Sequence, residues 1–197
     1  EALNGELIAK VRARWPRVEI VNLYGPTEAT TDASWWVADP ALSPAAPVPL
    51  GRPIANLSIS VRDDAGRALP PGVVGEIWLA GAGLAEGYLG APSDTADRFV
   101  TCVDGVRHYR SGDLGWLRHD GLLFCCGRVD QQVKVRGNRI ELGEVEAVLA
   151  AQTGVQAAAV LAVGDETDGP GASELVAFVS VEGPAARPHA VGIDQTL

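Results

Sequence analysis

Two short runs of this chain hold most of its concentrated polar chemistry. The first is Asn22-Leu23-Tyr24-Gly25-Pro26-Thr27-Glu28. Tyr24 offers a flat ring that can stack on a purine, and Asn22 an amide that can read the purine's amino edge. Thr27 offers a hydroxyl to a phosphate, and Glu28 is a hard oxygen donor suited to Mg²⁺. The bland alternative is a strand-to-turn connection with a capping threonine, since Gly-Pro turns are common. The second run is Gly127-Arg128-Val129-Asp130-Gln131-Gln132-Val133-Lys134-Val135-Arg136-Gly137-Asn138-Arg139-Ile140-Glu141. Arg128 can bond a ribose or phosphate oxygen. Asp130 stands where the composition changes and could be a hinge, a residue that absorbs a backbone rotation. The cations that follow could equally be surface charge on a strand. Between the two runs, Tyr109-Arg110-Ser111-Gly112-Asp113-Leu114 sets a carboxylate after a glycine. Asp113 can accept both hydroxyls of a ribose, as acidic residues do in dinucleotide folds, or can be an exposed turn aspartate. Together the runs describe a nucleotide site walled by distant parts of one chain.

Other chemistries fit less well. Gly81-Ala82-Gly83-Leu84-Ala85-Glu86-Gly87 is glycine-rich but has no Gly-Lys-Ser/Thr ending and no Gly-x-Gly-x-x-Gly spacing, so it reads as a flexible structural loop and not a phosphate loop. His108, His119 and His189 stand outside any nucleophile motif, which argues against a Ser-His or Cys-His hydrolase. Cys102, Cys125 and Cys126 are an odd count without metal-ligand spacing. They read as free thiols of a reducing cytoplasm, and zinc is not expected. The net charge of −9 argues against a nucleic-acid partner, which needs a basic face. No apolar run reaches the ~20 residues of a membrane helix. The acidic start, Glu1-Ala2-Leu3-Asn4-Gly5-Glu6, is no signal peptide. With no methionine in 197 residues, the chain reads as a piece of a longer polypeptide.

The elements that must position these residues follow from periodicity. Leu3, Leu7, Ile8 and Val11 recur at helical spacing, so 2–14 is expected to be a helix ended by Pro16. Strands are expected over 18–21, 56–62 and 75–81, with a proline-rich loop over 38–53. A short helix over 94–99 precedes a hairpin of 114–117 and 122–126 around His119-Asp120-Gly121. After 127–131 the pattern becomes a strand over 132–136, a helix over 141–152, and strands over 156–163 and 174–181. Leu142, Val145, Val148 and Leu149 form the apolar face of that helix. The expected fold class is α/β and α+β: a β-rich lobe over 1–128, a small α+β lobe over 129–183, and a tail or linker over 184–197.

In order, Asn22-x-Tyr24-Gly25-Pro26-Thr27-Glu28, Gly75-Glu76-Ile77-x-Leu79-x-Gly81, Tyr109 to Leu114 and Gly127 to Glu141 resemble the acyl-adenylate-forming, AMP-binding superfamily. Within it the chain is similar to the adenylation domain of a nonribosomal peptide synthetase. The wording of 131–146 resembles that family more closely than the acyl-CoA synthetases. The resemblance covers about residues 1–182. It implies the β-rich end of a large lobe followed by the start of a small one.

The resemblance also implies roles. Asn22, Tyr24, Gly25, Thr27, Asp113 and Arg128 would bind ATP, with Tyr24 on adenine, Thr27 at the α-phosphate and Asp113 on the ribose. Glu28 would hold Mg²⁺, and Thr27 and Glu28 would be the catalytic pair. Asp130 would be the hinge, Leu23, Thr31 and Asp32 would line an amino-acid pocket, and Gly137 would face the pantetheine channel. The implied reaction is activation of an amino acid as aminoacyl-AMP, then transfer to the 4'-phosphopantetheine thiol of a peptidyl carrier protein. An MbtH-like protein and a methyltransferase inserted in the small lobe are further implied partners. The chain lacks the family's Ser/Thr/Gly-rich phosphate loop and its closing lysine motif, with only Lys10 and Lys134 present, and carries Glu86 where the family usually has Arg. The alternatives are a stand-alone acyl- or aryl-CoA ligase, and a non-catalytic adenylation-like piece acting as a docking platform.

Overall fold

A computed structural model describes residues 3–130, 132–135, 138–164 and 174–181. The chain divides into two compact units, Glu1–Gln131 and Gln132–Leu197. In the first, helix α1 (Gly5–Arg14) starts where the Asn4 side chain accepts the Leu7 N–H at 2.8 Å. Asn4 thus satisfies one of the donors that every helix start leaves open. Strand β1 spans Val21–Tyr24, later than the expected 18–21, so Asn22, Leu23 and Tyr24 lie on a strand and not on a turn. The shift follows from its partner, β2 (Ser34–Val37), which sequence reading missed. Its Trp35-Trp36-Val37 run is short but rich in strand formers, and it pairs antiparallel with β1, Leu23 opposite Trp35. The expected loop over 38–53 holds except at its end, where β3 (Arg52–Pro53) pairs with β2.

The main sheet has five strands. β4 (Leu57–Arg62) and β5 (Gly75–Gly81) pair antiparallel. Helix α2 (Pro92–Arg98), opened by a proline at its first position, leads into β6 (Phe99–Thr101). The sheet is completed by β7 (Arg107–Leu117) and β8 (Leu123–Arg128), in the order β4-β5-β7-β6, with β8 also on β7. The alternation of β4 and β5 divides the faces. One face buries Val61, Ile77, Leu79, Tyr109 and Phe99 with Leu123, Ala29 and Ala33. The other carries Trp78 between two guanidinium groups, Arg62 at 5.3 Å and Arg110 at 5.4 Å from the ring centre.

β7 is far longer than the expected 114–117, and the reason lies at its middle. Ser111, Gly112 and Asp113 together oppose the single residue Ile77 of β5, between the pairs Trp78–Arg110 and Glu76–Leu114. With two residues extra, such a bulge interrupts the ladder and its alternation locally, so Tyr109-Arg110-Ser111-Gly112-Asp113 does not look like a strand. Gly112 carries the bulge with φ of +74°. A second bulge sits on the other edge: Leu114 pairs with Gly127 but Gly115 with Cys125, leaving Cys126 extra.

In the second unit, β9 (Gln132–Val135) and β10 (Asn138–Glu141) pair antiparallel. Sequence reading missed β10. Helix α3 (Leu142–Ala150) follows at once, and β11 (Val155–Val163) pairs with β12 (Glu174–Val181). Glu146 of α3 accepts the Val160 N–H at 2.8 Å. Leu142 is buried, but Val148 is 61% exposed and leaves the expected apolar face. Among the described residues no helix is long and apolar enough to cross a membrane.

Candidate active site

The two bulges meet at Asp113, and their effect is one of register. Side chains directly opposite one another on paired strands share a face. Because Cys126 is looped out of the ladder, Arg128 stands opposite Asp113; with Cys126 paired in the ladder, Gly127 would stand there. The Asp113 carboxylate accepts the Tyr24 hydroxyl at 2.6 Å and is ion-paired with Arg128. Arg128 also binds both oxygens of Asp130, at 2.7 and 2.9 Å, and Arg98 adds a bond to Asp130 at 3.2 Å. The structure therefore joins Tyr24, Asp113, Arg128 and Asp130, up to 106 positions apart in the sequence, in one hydrogen-bonded chain. A carboxylate has about four lone-pair sites. Two are used on Asp113, which leaves capacity for two more donors. Burial, then the adjacent Asp113 charge, holds the Tyr24 phenol well above its ordinary pKa, so it stays a donor. Cys102, Cys125 and Cys126 are all free.

What holds the first bulge open is Glu76, a residue sequence reading passed over as an ordinary strand position. It is 8% exposed. Oε1 accepts the Gly112 N–H at 3.1 Å, and Oε2 accepts Trp78 Nε1 at 3.0 Å and Arg110 at 2.9 and 3.1 Å. Ser111 completes the support: its hydroxyl donates to the Ile77 carbonyl at 2.7 Å and accepts the Asp113 N–H at 3.0 Å. The backbone groups that the bulge takes out of the ladder are thus paired by side chains, as buried groups must be. The available signal was a glutamate inside an apolar strand, which burial tolerates only with partners. At Gly112, a Cβ would lie 2.8 Å from both Arg128 Nη2 and Asp130 Oδ2. Gly112→Ala adds that clash to the backbone strain of positive φ. We expect it to weaken AMP binding to the complete polypeptide at least tenfold by calorimetry; unchanged binding would contradict a nucleotide site here.

The remaining expected residues lie around the β1–β2 connection. Gly25 follows β1 directly, and a 3₁₀ turn, Thr27–Ala29, comes next. Thr27 is exposed at its first position, while Glu28 is buried. Asn22 donates its amide to the Pro49 carbonyl at 2.8 Å. That bond uses one of the two amide N–H donors, and the carbonyl oxygen is what can accept a purine amino group. Leu23 and Thr31 are exposed and Asp32 half-buried. Thr30 and Thr31 both have left-handed backbones, φ 59° and 71°, which β-branched residues rarely adopt. They are held by Thr30 Oγ1 to the Gly83 carbonyl (2.6 Å) and Thr31 N–H to the Pro26 carbonyl (3.2 Å). Gly137 lies outside the described residues, as does His189.

The Gly81–Gly87 segment is not the loosely held loop its composition suggested. Ala85 donates its N–H to the Glu28 carbonyl at 2.8 Å, and Arg107 clamps the carbonyls of Ala85 and Glu86 at 2.8 and 2.7 Å. The segment also delivers Tyr88, another residue missed from sequence. Its hydroxyl donates to Glu28 Oε1 at 2.6 Å. Among the described residues no three carboxylate, imidazole or thiol groups cluster as a ready metal cage. A lone carboxylate fits Mg²⁺ nonetheless, because that ion keeps waters and takes one or two carboxylates alongside substrate phosphates.

The chain's relatives are known for a related chemistry. Residues 1–89 match the AMP-binding enzyme family. Over most of its length the chain is similar to nonribosomal peptide synthetases, and its structural neighbours include their adenylation domains. It is 45% identical over 200 residues to phosphinothricin tripeptide synthetase PhsB of Streptomyces viridochromogenes, covering all of this chain and 16% of that one. The fold matches the Vibrio cholerae adenylation domain AlmE, solved with glycyl-adenosine-5'-phosphate, at a TM-score of 0.81 and 34% identity, over 91% of this chain and 34% of that one. It also matches holo-PA1221, a nonribosomal peptide synthetase protein with adenylation and carrier domains bound to a vinylsulfonamide inhibitor, at a TM-score of 0.80 and 31% identity, over 92% of this chain and 32% of that one. The chain thus spans about a third of those solved chains and a sixth of that synthetase.

Proposed function

We propose that this chain supplies part of the ATP site of an amino-acid-activating adenylation domain in a longer polypeptide. The observation that carries the reading is the hydrogen-bonded chain Tyr24–Asp113–Arg128–Asp130, reached from four separate elements and kept in place by two strand bulges. Tyr24 would take the adenine, Asp113 the ribose hydroxyls with Arg128 fixing its orientation, and Thr27 an α-phosphate oxygen. Glu28 would hold Mg²⁺, which would offset charge on the phosphates. Positioning and charge stabilisation, not covalent chemistry, is the work asked of these residues.

The product of such a site is an aminoacyl-adenylate. Its second substrate is the phosphopantetheine thiol of a carrier protein; the carrier domain joined to adenylation in holo-PA1221 supports that partner. Leu23, Thr31 and Asp32 would contribute to the amino-acid pocket and Gly137 to the thiol's channel. Residues 1–128 would be the end of the large lobe and 129–183 the start of the small one. Asp130, tied to Arg128 and Arg98, would be the hinge whose ion pairs must exchange when the small lobe turns. An MbtH-like helper, a methyltransferase in the same polypeptide and a cytoplasmic setting complete the reading.

The test is amino-acid-dependent ATP–pyrophosphate exchange by the complete polypeptide. We expect exchange with at least one amino acid, lowered about 100-fold by Glu28→Ala with the fold intact, the scale of losing one charge-stabilising group. No exchange across a full amino-acid panel with a helper protein added would sink the proposal. Near wild-type exchange by Glu28→Ala would remove the metal role.

A further inference from the structure

We propose that Tyr88 is a positioning residue for the Glu28 carboxylate, and that the glycine-rich segment exists in this fold to deliver it. The inference rests on the metal role proposed for Glu28 and adds a residue to it. Glu28 sits on a single 3₁₀ turn, too short to fix its own side chain. Its Oε1 accepts the Tyr88 hydroxyl at 2.6 Å, and that hydroxyl lies 3.5 Å from the Tyr109 hydroxyl. A bond this short to a charged acceptor belongs to the stronger class of hydrogen bonds. It fixes the carboxylate's rotation, and thereby the direction in which the group can meet a cation.

Tyr88 is in turn fixed from four sides. Its ring meets Phe99 edge-on, with centroids 5.7 Å apart. Its backbone N–H donates to Thr95 Oγ1 at 2.8 Å. Ala85 on the same segment is bonded to the backbone of Glu28 itself, and Arg107 clamps the carbonyls of Ala85 and Glu86. Gly87 permits the approach: with φ of +152°, a Cβ there would stand 2.4 Å from Thr95 Cγ2. Backbone and side chain of Glu28 are therefore both held by one segment, contributed by the connection between β5 and α2.

The experiment uses the complete polypeptide with Tyr88→Phe, which keeps the ring and removes the hydroxyl. We expect the Mg²⁺ concentration for half-maximal pyrophosphate exchange to rise about tenfold. Calorimetry should show the same loss in Mg²⁺-dependent ATP binding, while AMP binding in chelator stays unchanged. An unchanged Mg²⁺ requirement, whatever the thermal stability, overturns the proposal, because a merely structural tyrosine would alter stability alone. If Tyr88→Phe does not fold, Thr95→Val, which frees the Tyr88 backbone, is measured in the same way. A smaller shift in the same direction supports the proposal and no shift overturns it. Glu28→Ala separates the two ideas: if it leaves Mg²⁺ dependence untouched, the metal reading of Glu28 has failed independently of Tyr88.

Discussion

Asp113→Ala should raise the ATP KM of the complete polypeptide about 100-fold in pyrophosphate exchange, with a parallel loss of AMP affinity. The magnitude follows from two hydrogen bonds to a charged acceptor, each contributing about 1.5–3 kcal/mol. The loss extends beyond those two bonds. Asp113 also takes the Tyr24 hydroxyl and the Arg128 guanidinium, so its removal frees both the proposed adenine platform and the cation beside it. Asp113→Asn divides these effects. An amide can offer oxygen to Arg128 and N–H to the Tyr24 oxygen, which is able to accept as well as donate. The local structure should then survive while a raised KM remains, since charge and acceptor capacity are both reduced. A KM within threefold of wild type for Asp113→Ala would contradict the ribose assignment.

The second large effect is on stability. Glu76→Ala leaves Trp78 Nε1, the Arg110 guanidinium and the Gly112 N–H without their shared acceptor. Breaking a buried charged pair by removing one partner costs about 3–5 kcal/mol. Arg110 is partly exposed, with 39% of its side chain accessible, so water compensates it in part and the lower end applies. At about 2–4 °C per kcal/mol for a domain of this size, its unfolding transition should fall by about 10 °C. Glu76→Gln should recover part of that, because one amide oxygen can still accept. A fall under 2 °C for Glu76→Ala would show that the bulge stands without its buried carboxylate. AMP binding should weaken together with stability, since Glu76 also fixes the Gly112 backbone next to Asp113.

The residues proposed to meet ligand were the ones most legible in sequence, because a nucleotide needs unusual side-chain types close together. The structure brings Tyr24, Asp113, Arg128 and Asp130 together in hydrogen bonds that sequence reasoning did not foresee. Their supports were hidden. Glu76 looked like a polar position in an alternating strand, and Tyr88 like an aromatic stop to a glycine run. Both act at a distance along the chain, 36 positions from Gly112 and 60 from Glu28, and no local pattern encodes that. Elements were legible where alternation was clean, as in β4 and β5. They were lost where a bulge interrupted the ladder, as in β7, or where the run was short and decided by its partner, as in β2 and β10. The apolar face read onto α3 failed at Val148 because 142, 145 and 149 lie closer together around the helix axis than 148 does.

The second bulge changes what kind of information the β8 strand must carry. Cys126 has no opposite number on β7, and both it and Cys125 are exposed. Little about its side chain is demanded by the ladder. What is demanded is that the residue at 126 stay out of the ladder, since that sets Arg128 and not Gly127 opposite Asp113. At this point the chain encodes its site by omission: a substitution at 126 rewrites a letter the ladder does not read, and a deletion would leave a more regular sheet with arginine still before the carboxylate, whereas drawing 126 into the ladder would set glycine there.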